Sequence, residues 1–348
     1  MPTLFLDSGS ISNLVVSSST TLSGSFLFYA NFYLSGSVRQ GLNTVASGQY
    51  SHAEGYYTIA QGNYSHAEGD NSKAEGIASH AEGYKTTASA DYSHTEGSLT
   101  RTIGQGSHAE GSSTIARGPW SHAEGLTTTS HGTGSHAEGQ STIAEADYSH
   151  AEGLESISRG LYSHAEGWKT VAVGIGSHAE GRNTSASGDY SHAEGASTRA
   201  IGQASHAEGS STQARGPWSH AEGISTVARG TGSHAEGSST VASGSYSHTA
   251  GLGTIAAADY QTVIGSYNIP STNQNDVFII GGGTNISNNI TRKNIAVFTI
   301  TGSNGGGLPV FNSVSESTDY VDDTAAAAAG VPRGGVYRSG NALRIRII

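Results

Sequence analysis

The sequence predicts an all-β fold, a thin parallel β-solenoid with 14 residues per coil, and three observations predict it. The string Ser-His-Ala-Glu-Gly recurs with its His every 14 residues from His52 to His248, without insertion or deletion. Each unit contains two short stretches of period-2 patterning, the signature of strands. Each stretch is followed by Gly, and Gly makes up 49 of 348 residues, about twice its usual ~7% share. Repetition at a fixed short period with unbroken phase is what stacked coils require, because one inserted residue would break the ladder between neighbours.

In chain order, the unit begins with Thr or Ser at 44, 58, 72, 86 and onward to Thr254. A small residue follows two positions later (Ala46, Ala60, Ala74, Ala88), and then Gly48, Gly62, Gly76 or Ala90. Thr44, Ala46, Ser51 and Ala53 are expected to point into the coil, where only small side chains fit between two close sheets. Gly at both turns is expected to supply positive φ. Helices are excluded by the density of Gly, Thr and Ser. A longer period overlies the short one: SSTIARGPWSHAEG at 112–125 returns as SSTQARGPWSHAEG at 210–223, seven coils later, which reads as tandem duplication of a block.

Alternation along Tyr50-Ser51-His52-Ala53-Glu54 places 50, 52 and 54 on one outward face. That face therefore carries His52, His66, His80, His94, His108, His122, His136, His150, His164, His178, His192, His206, His220, His234 and His248. Beside them run Glu54, Glu68, Glu82, Glu96, Glu110, Glu124, Glu138, Glu152, Glu166, Glu180, Glu194, Glu208, Glu222 and Glu236, with Ala250 in the last copy. Tyr50, Tyr64, Tyr92, Trp120, Tyr148, Tyr162, Tyr190, Trp218 and Tyr246 are expected there too, as interface aromatics. The opposite sheet varies: Val45/Ser47, Lys73/Glu75, Arg101/Ile103, Gln213/Arg215. A uniform face beside a variable one reads as a covered face, and three-fold self-association is the simplest cover for so thin a solenoid. His and Glu are then an inter-subunit structural ladder, since buried polar groups must find partners. If Glu accepts from His, its folded pKa should fall below ~4.3, and the assembly should weaken below about pH 4.

The Ser, Ala and Gly columns across roughly 42–265 resemble the 14-residue head repeat of trimeric autotransporter adhesins (YadA-like). That resemblance implies a left-handed parallel β-roll packed as a homotrimer, with His and Glu here replacing the family's two aliphatic residues. The SHAEG form, and the runs Asp259–Asn268, Phe278–Thr284 and Arg292–Phe298, resemble bacteriophage tail-fibre and related virion proteins, in which such a run closes the β-roll. The tail around 322–346 resembles the ends of viral structural proteins.

The expected organisation is an N-terminal β-rich anchor or cap at 1–41, the roll at 42–265, a closing region at 266–307 and a tail at 308–348. The first segment is apolar and aromatic (Phe26-Leu27-Phe28-Tyr29, Asn31-Phe32-Tyr33-Leu34). Near the end, Asp322 and Asp323 are expected to cap an Ala-rich helical turn, followed by a hairpin about Ser339-Gly340-Asn341.

Composition limits the chemistry. Without Cys there is no disulfide or thiolate metal site. A net charge of −11 argues against a nucleic-acid partner, and no apolar run approaches the ~20 residues of a membrane helix. His-x-Glu invites a metal or acid–base reading, but catalysis needs one pre-organised constellation rather than fifteen copies on a rod. The sequence is accordingly read as non-enzymatic, with no catalytic, cofactor or metal residues. An ice-binding role is set aside because the Thr column points inward, and Gly282-Gly283 and Gly305-Gly306-Gly307 lack the Lys and helix of a phosphate cradle.

The expected function is a homotrimeric structural fibre of a virus particle, a phage tail or head fibre presenting a tip for host attachment. Its expected partners are its own copies, other virion proteins through the N-terminal region, and a host cell-surface receptor, glycans included. The expected location is the virion surface after assembly in the host cytoplasm, because the N-terminus shows no signal peptide. The rivals are a bacterial trimeric surface adhesin and, more remotely, an enzyme-bearing tailspike.

Overall fold

Small inward residues and a 14-residue phase give two flat ladders. The computed structural model describes residues 36–300, 324–325, 336–339 and 342–345. The chain divides into Met1–Ser35 and Gly36–Ile348, and the solenoid lies in the latter. The apolar stretches of the expected N-terminal anchor lie outside the described residues. So does most of the Ala-rich turn, of which Thr324 and Ala325 are helical.

One parallel sheet of 16 strands runs from Val45–Ala46 to Ile255–Ala256, and a second of 19 strands carries the His residues. Register advances by one repeat at every rung, His52 opposite His66 and Ile59 opposite Lys73. Consecutive imidazole rings lie 4.7–5.0 Å apart, centroid to centroid, so the sixteen coils span about 75 Å. The backbone of each rung bonds to the next: the His52 N–H donates to the Ser65 carbonyl (2.9 Å) and the Ile59 N–H to that of Ser72 (2.9 Å).

The core is one methyl thick. Ala53, Ala60, Ala67 and Ala74 alternate from sheet to sheet, fully buried, and Ser51 and Thr58 join them. The Ser hydroxyl closes the turn before it, Ser51 donating to the Gly48 carbonyl at 2.7 Å. The inward columns are those the sequence predicts, and the fold is the all-β parallel β-solenoid.

The turns differ from expectation in one respect. Gly55 and its equivalents have φ near +100°, but the Gly48 column does not. At Gly62 the constraint is proximity, since an added Cβ would collide with the Gly76 carbonyl. Positive φ at that corner falls instead on Tyr50, Tyr64 and Tyr92 (φ 57–60°), and again at Asn43, Tyr57 and Asn71.

The stack starts before residue 42, as Val38–Leu42 pairs in register with His52–Tyr56. At the far end Gln261-Thr262-Val263-Ile264-Gly265 occupies the SHAEG register, and Asp276–Gly282 adds a further parallel strand. Asn294–Thr299 then pairs antiparallel to it and covers the edge. Ala256, Val263, Ile279 and Val297 make a fuller apolar cluster there. Val336–Ser339 and Ala342–Ile345 pair antiparallel about the expected hairpin position.

Candidate functional site

Each strand of the larger sheet presents His and Glu outward on either side of an inward Ala, which follows directly from strand alternation. Because every coil is in register, the fifteen imidazoles form one continuous stack, nearly parallel at most steps (1° between His52 and His66, 17° at His248). The side chains are about one-third exposed, but each Nε2 atom is fully buried and has no hydrogen-bond partner.

The carboxylates stand close to these nitrogens at 3.3–4.0 Å, longer than the 2.7–3.2 Å of an N–H···O bond. The pairing changes along the rod. His52, His66, His80, His108, His122 and His136 are nearest the Glu of their own coil (3.6–3.9 Å). His178 through His248 are nearest the Glu of the preceding coil (3.3–3.6 Å). His150 stands between both, 4.0 Å from Glu138 and 3.8 Å from Glu152.

Burial, and then the charge of neighbouring imidazoles, holds His94, His108, His136 and His150 below the usual imidazole pKa. Within the single chain the carboxylates do not all shift in one direction. Hydrogen bonding to Glu138 and Glu166 pushes Glu152 up to about 8, and bonding to Glu208 pushes Glu222 up to about 7. Glu194 is also raised, while Glu138, Glu166 and Glu208 are lowered by the same shared bonds. The physical reason is the stack itself: a column of like charges at rung spacing favours alternate protonation, one carboxyl donating to the two beside it.

The aromatics do not share the His/Glu plane. Left-handed backbone at Tyr50 turns the chain before the strand begins at His52, so these side chains occupy the corner. They are well exposed, 53% at Tyr50 and 66% at Trp120. Tyr50–Tyr64 and Tyr148–Tyr162 stack at 5.5 and 5.4 Å. Elsewhere the ring lies over a Gly of the preceding coil, Trp120 over Gly106 and Tyr148 over Gly134. The residue before the aromatic locks this corner: the Asp91 carboxylate accepts from the Ile77 N–H at 2.7 Å, and Asp147 likewise from Thr133 at 2.7 Å. Exchange of aromatic with Gly or Ala in one column (Gly106, Gly134, Ala78, Ala204) is the sequence signal of such a corner.

No helix among the described residues is long and apolar enough to cross a membrane.

With this geometry in place, the comparisons add one likeness. The profile described as YadA head domain repeat matches residues 40–65, 53–76, 165–191 and 221–247. These segments cover less than half of the chain and lie within the roll, so the chain is similar to a YadA-like β-roll repeat protein. No curated protein matches it.

Proposed function

We propose that the chain is the non-enzymatic shaft of a homotrimeric adhesive fibre, with the His/Glu sheet as the seam between subunits. The observation that carries this reading is a uniform row of buried, unpartnered imidazole nitrogens on one sheet, opposite a sheet whose outward residues vary freely. A face repeated in every coil is complementary to a second copy of itself, and covering it enlarges a core otherwise only one methyl thick. Likeness to YadA head domain repeats supports a self-associating, adhesin-type rod.

Two carriers are consistent with such a rod. The profile match favours the head of a bacterial surface adhesin. The SHAEG form and the closing run through Phe298 favour a fibre of a virus particle, joined to other virion proteins by its N-terminal region and presenting a tip to a host receptor.

Sedimentation equilibrium of the full chain tests the assembly. The expected mass is three times 35.5 kDa, and a folded monomer at micromolar concentration would overturn it. Labelling with antibody to the shaft, on bacterial envelopes and on purified particles, separates the two carriers.

A further inference from the structure

We propose that the His/Glu ladder is a row of binding sites for divalent transition-metal ions, each ion held by two consecutive imidazole Nε2 atoms and the intervening carboxylate. Representative sites are His80–Glu82–His94, His122–Glu124–His136 and His220–Glu222–His234, whose three ligand atoms lie within 4.8 Å of one another. The inference rests on the geometry within one chain and not on the trimer.

Three observations carry it. The first is the state of the nitrogens: Nε2 of every His in the column is buried and makes no hydrogen bond. Within the chain no carboxylate is close enough to satisfy these atoms by a good hydrogen bond. The second is distance. Nitrogen and oxygen donors at 2.0–2.2 Å from a tetrahedral Zn²⁺ stand about 3.3–3.5 Å apart. The His178–Glu166, His192–Glu180 and His248–Glu236 gaps are 3.5, 3.4 and 3.3 Å, too long for good hydrogen bonds and right for one edge of that tetrahedron. Consecutive rings are parallel, so sharing one ion requires both to rotate out of the stack until their in-plane lone pairs converge, which also closes the nitrogens to this spacing. The third is access and charge. Beside the Glu row run two open troughs, one of about 550 Å³ along Glu124–Glu180 and one of about 650 Å³ along Glu54–Glu82, so access is shown for the sites at Glu82 and Glu124. A hydrated cation can enter them, and a dication offsets the repulsion along the carboxylates. Two imidazoles and one carboxylate form a donor set suited to Zn²⁺, with one position left for water.

Each ion takes two imidazoles, so fifteen give at most seven sites per chain. The test uses the untagged full chain, stripped by chelator and dialysed against Zn²⁺, with bound metal counted by elemental analysis. Several ions per chain, approaching seven, are expected, and Co²⁺ in place of Zn²⁺ should give the intense visible absorption of a four-coordinate N/O site. The triple variant Glu152→Gln, Glu166→Gln, Glu180→Gln should lose one ion of the seven, since His52–His150 still offer four pairs and His192–His248 two. The charge-matched control Glu75→Gln, Glu145→Gln, Glu155→Gln, off the row, should lose none. One Zn²⁺ or fewer per wild-type chain overturns the proposal, as does equal loss in both variants. The wild-type Co²⁺ spectrum keeps the test decisive if the triple variant misfolds. A trimer that forms and binds no metal sinks this inference alone, leaving the proposed assembly standing.

Discussion

The two sheets of the shaft share a coil, a register and an inward column of small residues, and they differ only in what they show to the outside. On the 16-stranded sheet the outward position runs through Ile59, Lys73, Thr87, Arg101 and Ile115. On the other it is His at rung after rung. Both pay equally little attention to strand propensity, since Lys and Arg are poor strand residues and pair in register all the same. The difference teaches that inward columns and turns build the solenoid, leaving the outward residues to other tasks. Where a sheet's outside is free of a task it drifts; the fixed column is the one that the proposed partner or ligand would read.

The largest effect should come from breaking what the two sheets share. Deleting Thr170 alone leaves one coil of 13 residues, which exposes an inward Ala there and breaks the ladder between the coils on either side. The chain should lose its cooperative melt, whereas deleting all of 168–181 removes one whole coil and should leave circular dichroism per residue unchanged. Equal damage from both deletions would contradict the solenoid.

Next, each sheet can be altered on its outer side alone. Arg199→Thr on the variable sheet should change stability by no more than about 0.5 kcal/mol, read from denaturant midpoints. Replacing His178, His192 and His206 together with Thr should leave the monomer fold intact by circular dichroism but shift sedimentation toward a single chain. If the two changes act alike, the distinction between the sheets has no functional content.

Acid should separate the sheets more gently, because only one of them titrates as a column. His66, His80, His94, His108, His164 and His234 are lowered by burial first. Below the unfolded pKa of about 6.5 the unfolded chain therefore binds more protons than the folded one, and stability falls as pH drops through the folded values. Glu138, Glu166 and Glu208, being lowered, add a loss of the same sign below about pH 4.3. Glu152 and Glu222 run the other way. Their protons are held in the folded state up to about 8 and 7, so their contribution is greatest in acid and fades as pH rises from about 4.3. The imidazoles being more numerous, the melting temperature in chelator should begin to fall near pH 6.5. A profile flat to pH 4 would restore the expectation drawn from sequence.

The smallest effect belongs to the corners. Tyr148→Gly relieves a left-handed backbone at the cost of ring contact and should be neutral within about 0.5 kcal/mol. Tyr148→Val, β-branched at φ 55°, should cost about 1–2 kcal/mol by chemical denaturation.

Much of this was legible in the sequence because a solenoid converts period directly into geometry. Thr58, Ala60, Ser65 and Ala67 read as inward and are buried. Period-2 counting went astray at Tyr50, since alternation holds only while the chain stays extended and a left-handed residue resets it. The two glycines look alike in the unit but answer different constraints, positive φ at Gly55 and backbone approach at Gly62. The opposed shift of neighbouring carboxyls such as Glu138 and Glu152 was hidden for another reason. It depends on what lies beside each carboxyl in the neighbouring coil, a distance no single repeat contains.

A column identical at every rung also has a consequence for alignment. Two copies laid side by side meet the same His and Glu after sliding by one coil, about 4.8 Å, so the shaft offers many nearly equivalent registers and no means of choosing among them. Among the described residues the column changes chemistry at both ends, at Val38/Gln40 and at Thr262/Ile264 and Phe278/Ile280 beneath the closing antiparallel strand. In the proposed assembly those end residues would act as the zero mark of a vernier, fixing which rung faces which before the uniform length between them zips together.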